Sequence, residues 1–308
     1  MIIMHPYLIK ATVKIISEWN APLFTGKLVK SLIVDVNPKL KEVFKKIRGV
    51  EPKLIHITPL YELNGRKIKC VYSSAELDSN YGVRRVSKVL INGIYDFYLG
   101  LVDDGSNDYL EFDEVYKTLL NVSGTHKFSG HDFIVELISL KVVNIERITF
   151  DVIRNLFRDG VMKVIFSSPT MLRDPFRSHK YKSLIPIPLN VFSTPLYIYL
   201  ILTGRMNMKN YLKTLIKIHK LLNETHSILS KDHHDAIVKV RHIYYEKGKI
   251  LPAITGYVNY RLNKSVVIEN ELEGMEEVLY ELIKLMATLG TGTSRATGFG
   301  HINLKVSD

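Results

Sequence analysis

The segment Leu289-Gly290-Thr291-Gly292-Thr293-Ser294-Arg295-Ala296-Thr297-Gly298-Phe299-Gly300-His301 has the clearest potential for chemistry in the chain. Gly290, Gly292, Gly298 and Gly300 permit positive φ and a close approach by another backbone. Exposed N–H groups here, with Ser294, can cradle phosphate oxygens. Arg295 adds a planar guanidinium fork that suits a phosphodiester. The same spacing also fits a long structural turn, and the residues alone leave both readings open. The segment follows a helical pattern and precedes a strand, the reverse of a dinucleotide fingerprint, and it lacks the Gly-Lys-Ser/Thr of a P-loop.

Other candidate groups are basic and aromatic. Lys247 and Lys249 sit with Arg261 on a predicted hairpin that also carries Tyr244, Tyr245, Tyr257 and Tyr260. Rings among cations suit unpaired bases, although period-two alternation assigns about half of these tyrosines to the core. Arg173, Arg177, His179, Lys180 and Lys182 form a second basic loop that either grips phosphates or is simply exposed. His233-His234-Asp235 has the look of a metal cluster. Adjacent histidines point in different directions and no third ligand has matching spacing, so it reads as a surface loop and no metal site is expected. His56 lies three residues after Lys53, which on a regular strand puts the two on opposite faces and makes His56 a core histidine.

The 308 residues carry 42 Lys and Arg against 31 Asp and Glu, a net charge of +11. That surplus favours a polyanionic partner, nucleic acid above all. With 46% hydrophobic residues a substantial core can form. The single cysteine, Cys70, excludes an intrachain disulfide and a cysteine-built zinc site, and fits a reducing, cytoplasmic setting. No secretory signal pattern is visible. The most apolar stretch, Leu184 to Leu202, contains Pro186, Pro188, Asn190 and Pro195 and reads as a buried loop entering a helix rather than a membrane span. Glutamine is absent, a bias expected of a thermophile.

These groups must be positioned by alternating strands and amphipathic helices. Strand patterns cover 7–17, 53–60, 66–72, 89–101 and 128–145. Helical spacing covers 25–48, with Pro38 kinking or dividing it, and 109–120. The second half repeats the order loosely. It has a strand at 161–166, helices at 189–204 and 207–230, a hairpin of 236–245 with 250–262, a helix at 271–289 and a strand at 301–306. The β-α-β-β-α-β order, twice, predicts an α+β chain of two tandem ferredoxin-like domains, residues 1–149 and 150–308, the second carrying the glycine-rich loop.

Gly-x-Gly-x-Ser-Arg-x-x-Gly-Phe-Gly at 290–300, followed by a short apolar strand, resembles the C-terminal signature of the Cas endoribonuclease 6 family, within the repeat-associated RNA-binding superfamily. Phe166-Ser167-Ser168-Pro169-Thr170 resembles the motif that opens the second domain there. The resemblance implies metal-independent cleavage of CRISPR repeat RNA in precursor transcripts, with no cofactor. The ribose 2′-hydroxyl would attack the adjacent phosphate, leaving a 2′,3′-cyclic phosphate and a 5′-hydroxyl.

Many members carry a histidine after the first helix, about six residues before a lysine that Lys53 matches. The corresponding stretch here, Lys46-Ile47-Arg48, contains none. The chain resembles instead a crenarchaeal subgroup that uses basic side chains, whose pattern fits Gly26-Lys27-Leu28-Val29-Lys30. The resemblance therefore implies Lys27, Lys30 and Lys53 as the catalytic group, with Lys27 and Lys30 on one helix face. RNA contacts are expected from Arg295, Ser294, Gly290, Gly292, Gly298 and Gly300 of the loop, and, from the basic patterning above, from Lys247, Lys249, Arg173 and Arg177. A homodimer and association with a CRISPR effector complex stay open, as does a non-catalytic RNA-binding subunit of such a complex. No membrane partner is expected.

Overall fold

The computed structural model describes residues 5–45, 52–64, 67–78, 82–103, 105, 110–177, 181–224, 237–263, 265 and 274–306. Within them the chain forms two main antiparallel sheets, of seven and five strands, each packed against helices, and three short two-stranded pairings.

The strand His5–Ile16 runs through the middle of the first sheet. It pairs with His131–Val143 on one side and Gly93–Asp103 on the other. Ile55–Ile57 and Tyr61–Asn64 continue outward from Gly93–Asp103. With the helices Thr25–Val36 and Phe112–Leu120 between strands, this is the ferredoxin-like spatial order, fourth–first–third–second. Alternation along the central strand is strict enough that Ile9, Ala11, Val13 and Ile15 are all fully buried. They meet Leu28, Val29, Leu32 and Ile33 from the first helix.

The second sheet repeats the order. Val161–Thr170 is flanked by Ile302–Val306 and Lys249–Leu262, and Val238–Glu246 pairs outside the latter. Its core joins Met162, Val164 and Phe166 to the helices Pro188–Leu202, Met208–Leu221 and Met275–Leu289. The chain is α+β, with two tandem ferredoxin-like units. Pro188–Leu202 is apolar all round and accordingly buried. Among the described residues, no helix is long and apolar enough to cross a membrane.

Several elements differ from the sequence expectation for identifiable reasons. The first helix ends at Val36, and a short helix, Leu40–Phe44, follows Pro38, so the proline divides rather than kinks. The strand expected over 53–60 is only Ile55–Ile57, which leaves Lys53 in irregular chain just before it. The stretch at 128–145 belongs to a hairpin whose turn uses Ser129 and Gly130 at positive φ. The helix Ile145–Asp159 was not anticipated. Asn144 caps it by accepting from the Arg147 N–H, and Gly160 ends it in the left-handed region. Its Val152, Ile153 and Leu156 pack into the second core, so the join expected between residues 149 and 150 falls inside this helix.

Candidate active site

The glycine-rich loop connects the last helix to the last strand, and its conformation is dictated by other backbone. Thr291 N–H donates to Gly300 O at 2.8 Å, Thr293 N–H to Met171 O at 2.9 Å, and Gly300 N–H to Pro169 O at 3.0 Å. Ser168 Oγ accepts from His301 N–H at 2.9 Å. The loop and the Ser167–Thr170 motif, far apart in sequence, are thus one structural unit. A Cβ on Gly298 would lie 2.8 Å from the Gly26 Cα, so this pair of glycines lets the start of the first helix sit directly on the loop.

This packing corrects part of the expected phosphate cradle. The N–H groups of Gly290, Gly298 and Gly300 are spent on Met286 O, Arg295 O and Pro169 O. These three glycines serve close backbone packing, while Gly292 and Ser294 line an open cleft.

The cleft has a volume of about 840 Å³ and lies between the first helix, the loop and the tip of the second-unit hairpin. Lys30, Lys45, Lys53, Lys182, Lys249 and Arg295 line it with Tyr245 and the rest of residues 292–297, and among the described residues no lining residue is acidic. Lys30 and Lys53 converge. Lys53 Nζ donates to Phe44 O at 2.7 Å, and Lys30 Nζ lies 3.5 Å from the same oxygen. Burial lowers both pKa values, assisted by the positive charges beside them. Lys53, facing Lys30 and Arg295, falls to about 8. Lys182 is lowered by burial and by Arg173, its partner in the short pairing of 172–173 with 182–183.

Lys27 is placed differently. Its ammonium pairs with the Glu246 carboxylate and sits 4.0 Å from the centre of the Tyr245 ring, beside the cleft rather than lining it. Of the expected trio the fold brings Lys30 and Lys53 to one point and holds Lys27 one turn away. Lys247 occupies the hairpin turn at φ 43° and does not line the cleft, whereas Lys249 does. Arg173 stacks over Tyr197, and Arg177 pairs with Asp174 at 3.3 Å; neither lines the cleft.

Arg295 departs most from expectation. Its side chain is 7% exposed, and the guanidinium donates inward, from Nη1 to Leu289 O and from Nη2 to Lys53 O, both at 3.0 Å. A cation at the carbonyl end of the last helix, which is buried here, is favourable. Two of the five N–H donors of the fork are thus taken by main-chain oxygens, although the residue also borders the cleft.

His56 is fully buried, as its offset from Lys53 suggested. Nδ1 faces Arg295 O at 3.1 Å and must carry the proton. Nε2 then accepts from His301 Nδ1 at 3.2 Å, which leaves the buried His301 Nε2 without a partner. Burial holds both imidazoles neutral, with His301 lowered to about 4. Burial pushes the Cys70 thiol up, as suits a structural residue. Of the four hairpin tyrosines only Tyr260 is fully core, fewer than the half expected, and Tyr245 lines the cleft. His179, Lys180, Lys46-Ile47-Arg48 and His233-His234-Asp235 lie outside the described residues. Among the described residues no group of three or more His, Cys, Asp or Glu side chains comes together as a metal site.

Sequence reading did not single out Lys45 or the Phe44 carbonyl; the latter has no signature in residue type. Lys182 stood out only as part of a basic loop.

No protein-family model matches the chain, and no curated protein matches it by sequence. Solved structures do match in fold. A Cas6 product complex superposes with a TM-score of 0.60 at 15% identity, covering 98% of this chain and 100% of that one. Thermus thermophilus Cas6 gives 0.57 at 15% identity, covering 98% and 99%. A Cas6 substrate mimic complex gives 0.54 at 14% identity, covering 97% and 99%.

Proposed function

We propose that this protein is a Cas6-like endoribonuclease that cleaves CRISPR repeat RNA in precursor transcripts, using lysines where many relatives use histidine. The observation that carries the reading is the convergence of Lys30 and Lys53 on one point of a cleft lined by lysines and, among the described residues, by no carboxylate. Such a cleft recognises a phosphodiester through charge, and Tyr245 offers a ring to an adjacent base. The tandem fold, shared over nearly the whole chain with Cas6 proteins in product and substrate mimic complexes, supports the same substrate class.

In this mechanism the 2′-oxygen attacks phosphorus, its proton passing to water in the open cleft. The bond from phosphorus to the 5′-oxygen breaks, leaving a 2′,3′-cyclic phosphate and a 5′-hydroxyl. Lys30 neutralises charge on the equatorial oxygens of the phosphorane. Lys53, still mainly an ammonium at pH 7 but with its pKa near 8, is matched to protonating the departing 5′-oxygen. Gly292, Thr293 and Ser294 place the phosphate against these two groups. No step requires a metal or cofactor.

End-group analysis of repeat RNA incubated with the purified protein tests the reading. Fragments whose 3′ ends resist phosphatase until the cyclic phosphate is opened, and whose 5′ ends accept phosphate from a kinase directly, support it. Tight, repeat-selective binding without any fragments would assign the protein to RNA binding within an effector complex instead.

A further inference from the structure

The glycine-rich loop contains one arginine, and the residue types alone suggest that it grips RNA. The geometry points elsewhere. We infer that Arg295 is a positioning residue that never touches the RNA, clamping the main chain of Lys53 to the end of the last helix so that the Lys53 ammonium is held in the cleft. The inference rests on the reading of the cleft as a site of RNA cleavage.

Three contacts carry it. The guanidinium spans Leu289 O and Lys53 O at 3.0 Å each, joining the second unit to the first directly behind the lysine. The Arg295 carbonyl accepts from His56 three residues further along the same first-unit segment, at 3.1 Å. His56 in turn holds His301 on the second unit, the rings stacked at 5.3 Å between centroids. Residues 53 and 56 are therefore each tied to the loop, one by the side chain of Arg295 and one by its main chain. Lys53 is in irregular chain outside the strand that follows, so sheet pairing does not fix it. Arg295 is 7% exposed, and turning the fork outward to a phosphate would strand the buried Leu289 carbonyl and release the part-buried Lys53 carbonyl.

The clamp has an electrostatic side. Among the described residues, the charged groups around Lys53 are Lys30 from the first helix, Lys45 after the second, Lys182 and Lys249 from the second unit, and Arg295 beneath, and no acidic group lines the cleft. The titratable imidazoles of His56 and His301 lie behind Arg295 and are held neutral by burial. Among the described residues, Arg295 is thus the one neighbour whose charge is both buried and fixed in place by two bonds.

The test is Arg295→Met, read by RNA affinity against salt and by the pH profile of single-turnover cleavage. The expected result is unchanged affinity with an unchanged salt slope, a cleavage rate down at least tenfold, and the break near pH 8 displaced upward. A salt slope smaller by about 0.7 to 0.9, with weakened binding, would make Arg295 a phosphate ligand and overturn the inference. A lowered melting temperature with the break left near pH 8 would make it merely structural and also overturn it. Should the variant not fold, phenylglyoxal labelling of the wild-type protein decides. Arg295 should stay unmodified with and without RNA, whereas modification that RNA prevents contradicts the inference. If wild type itself does not cleave, the cleavage reading fails, and the salt slope and labelling still report on whether Arg295 touches RNA.

Discussion

Lys53 and Lys30 reach for the same main-chain oxygen, that of Phe44, at 2.7 and 3.5 Å. A single carbonyl cannot balance two ammonium groups, so an entering phosphate relieves their repulsion. Substituting either lysine by alanine is expected to slow single-turnover cleavage, by about 10²- to 10⁴-fold for Lys53, the usual range for a lost proton donor, with RNA affinity reduced less than tenfold. Lys27→Ala should have a smaller effect on the rate, because Lys27 faces Glu246 rather than the cleft. Quench-flow rates set beside filter-binding affinities check the ordering; equal losses in rate and affinity for Lys53→Ala would reduce it to a phosphate anchor.

The Glu246 carboxylate holds Lys27 from the exposed tip of the hairpin, and that contact keeps the carboxyl below its usual range. Glu246→Gln removes a negative charge beside the cleft and releases Lys27. Repeat RNA should then bind about two- to tenfold more tightly at low salt, with a steeper salt dependence. Titrations at two ionic strengths check this, and weaker binding would show that the pair organises the site instead.

Gly298→Ala should separate the first helix from the loop, since its Cβ would meet the Gly26 Cα at 2.8 Å and φ at 298 is 104°. A loss of about 1–3 kcal/mol in denaturant unfolding is expected, together with slower cleavage, because the helix that shifts carries Lys30. Unaltered stability would mean that this contact is not tight in solution.

His301 and Lys53 are two of the groups that give stability a pH dependence, beside His56 in the acid range and Lys30 and Lys182 in the alkaline range. Between pH 6.5 and about 4 the unfolded chain protonates His301 while the folded protein keeps it neutral, so stability falls with pH through that window, by roughly 3 kcal/mol for this group. Between about 8 and 10.5 the folded protein has released the Lys53 proton that the unfolded chain still holds, so this group adds stability as pH rises. Urea midpoints across both windows for His301→Asn and Lys53→Met should show a shallower acid limb and a shallower alkaline gain, respectively. Slopes identical to wild type would contradict the assignments.

Much of this arrangement was legible in the residues. The two βαββαβ series follow from period-two and helical spacing, and Pro38 divides the first helix as its missing N–H requires. His56 could be placed in the core from its three-residue offset from Lys53. The helix Ile145–Asp159 had readable signals, Asn144 before it and Gly160 after it, which the apolar run preceding it obscured. The inward turn of Arg295 was not legible. It depends on two carbonyls, Leu289 and Lys53, brought together only when the units pack, and a carbonyl has no signature in a side-chain pattern. The diversion of Lys27 is of the same kind, because Glu246 reaches it only through the second-unit hairpin.

The most direct test of the central claim is single-turnover cleavage of labelled CRISPR repeat RNA in excess EDTA, beside the same RNA with one 2′-deoxynucleotide at the cut position. Cutting of the all-ribose strand in EDTA, abolished by the deoxy substitution and by Lys53→Ala, is the predicted result. Cutting of the deoxy substrate, or a requirement for added divalent metal, would contradict a 2′-hydroxyl reaction driven by the lysines of this cleft.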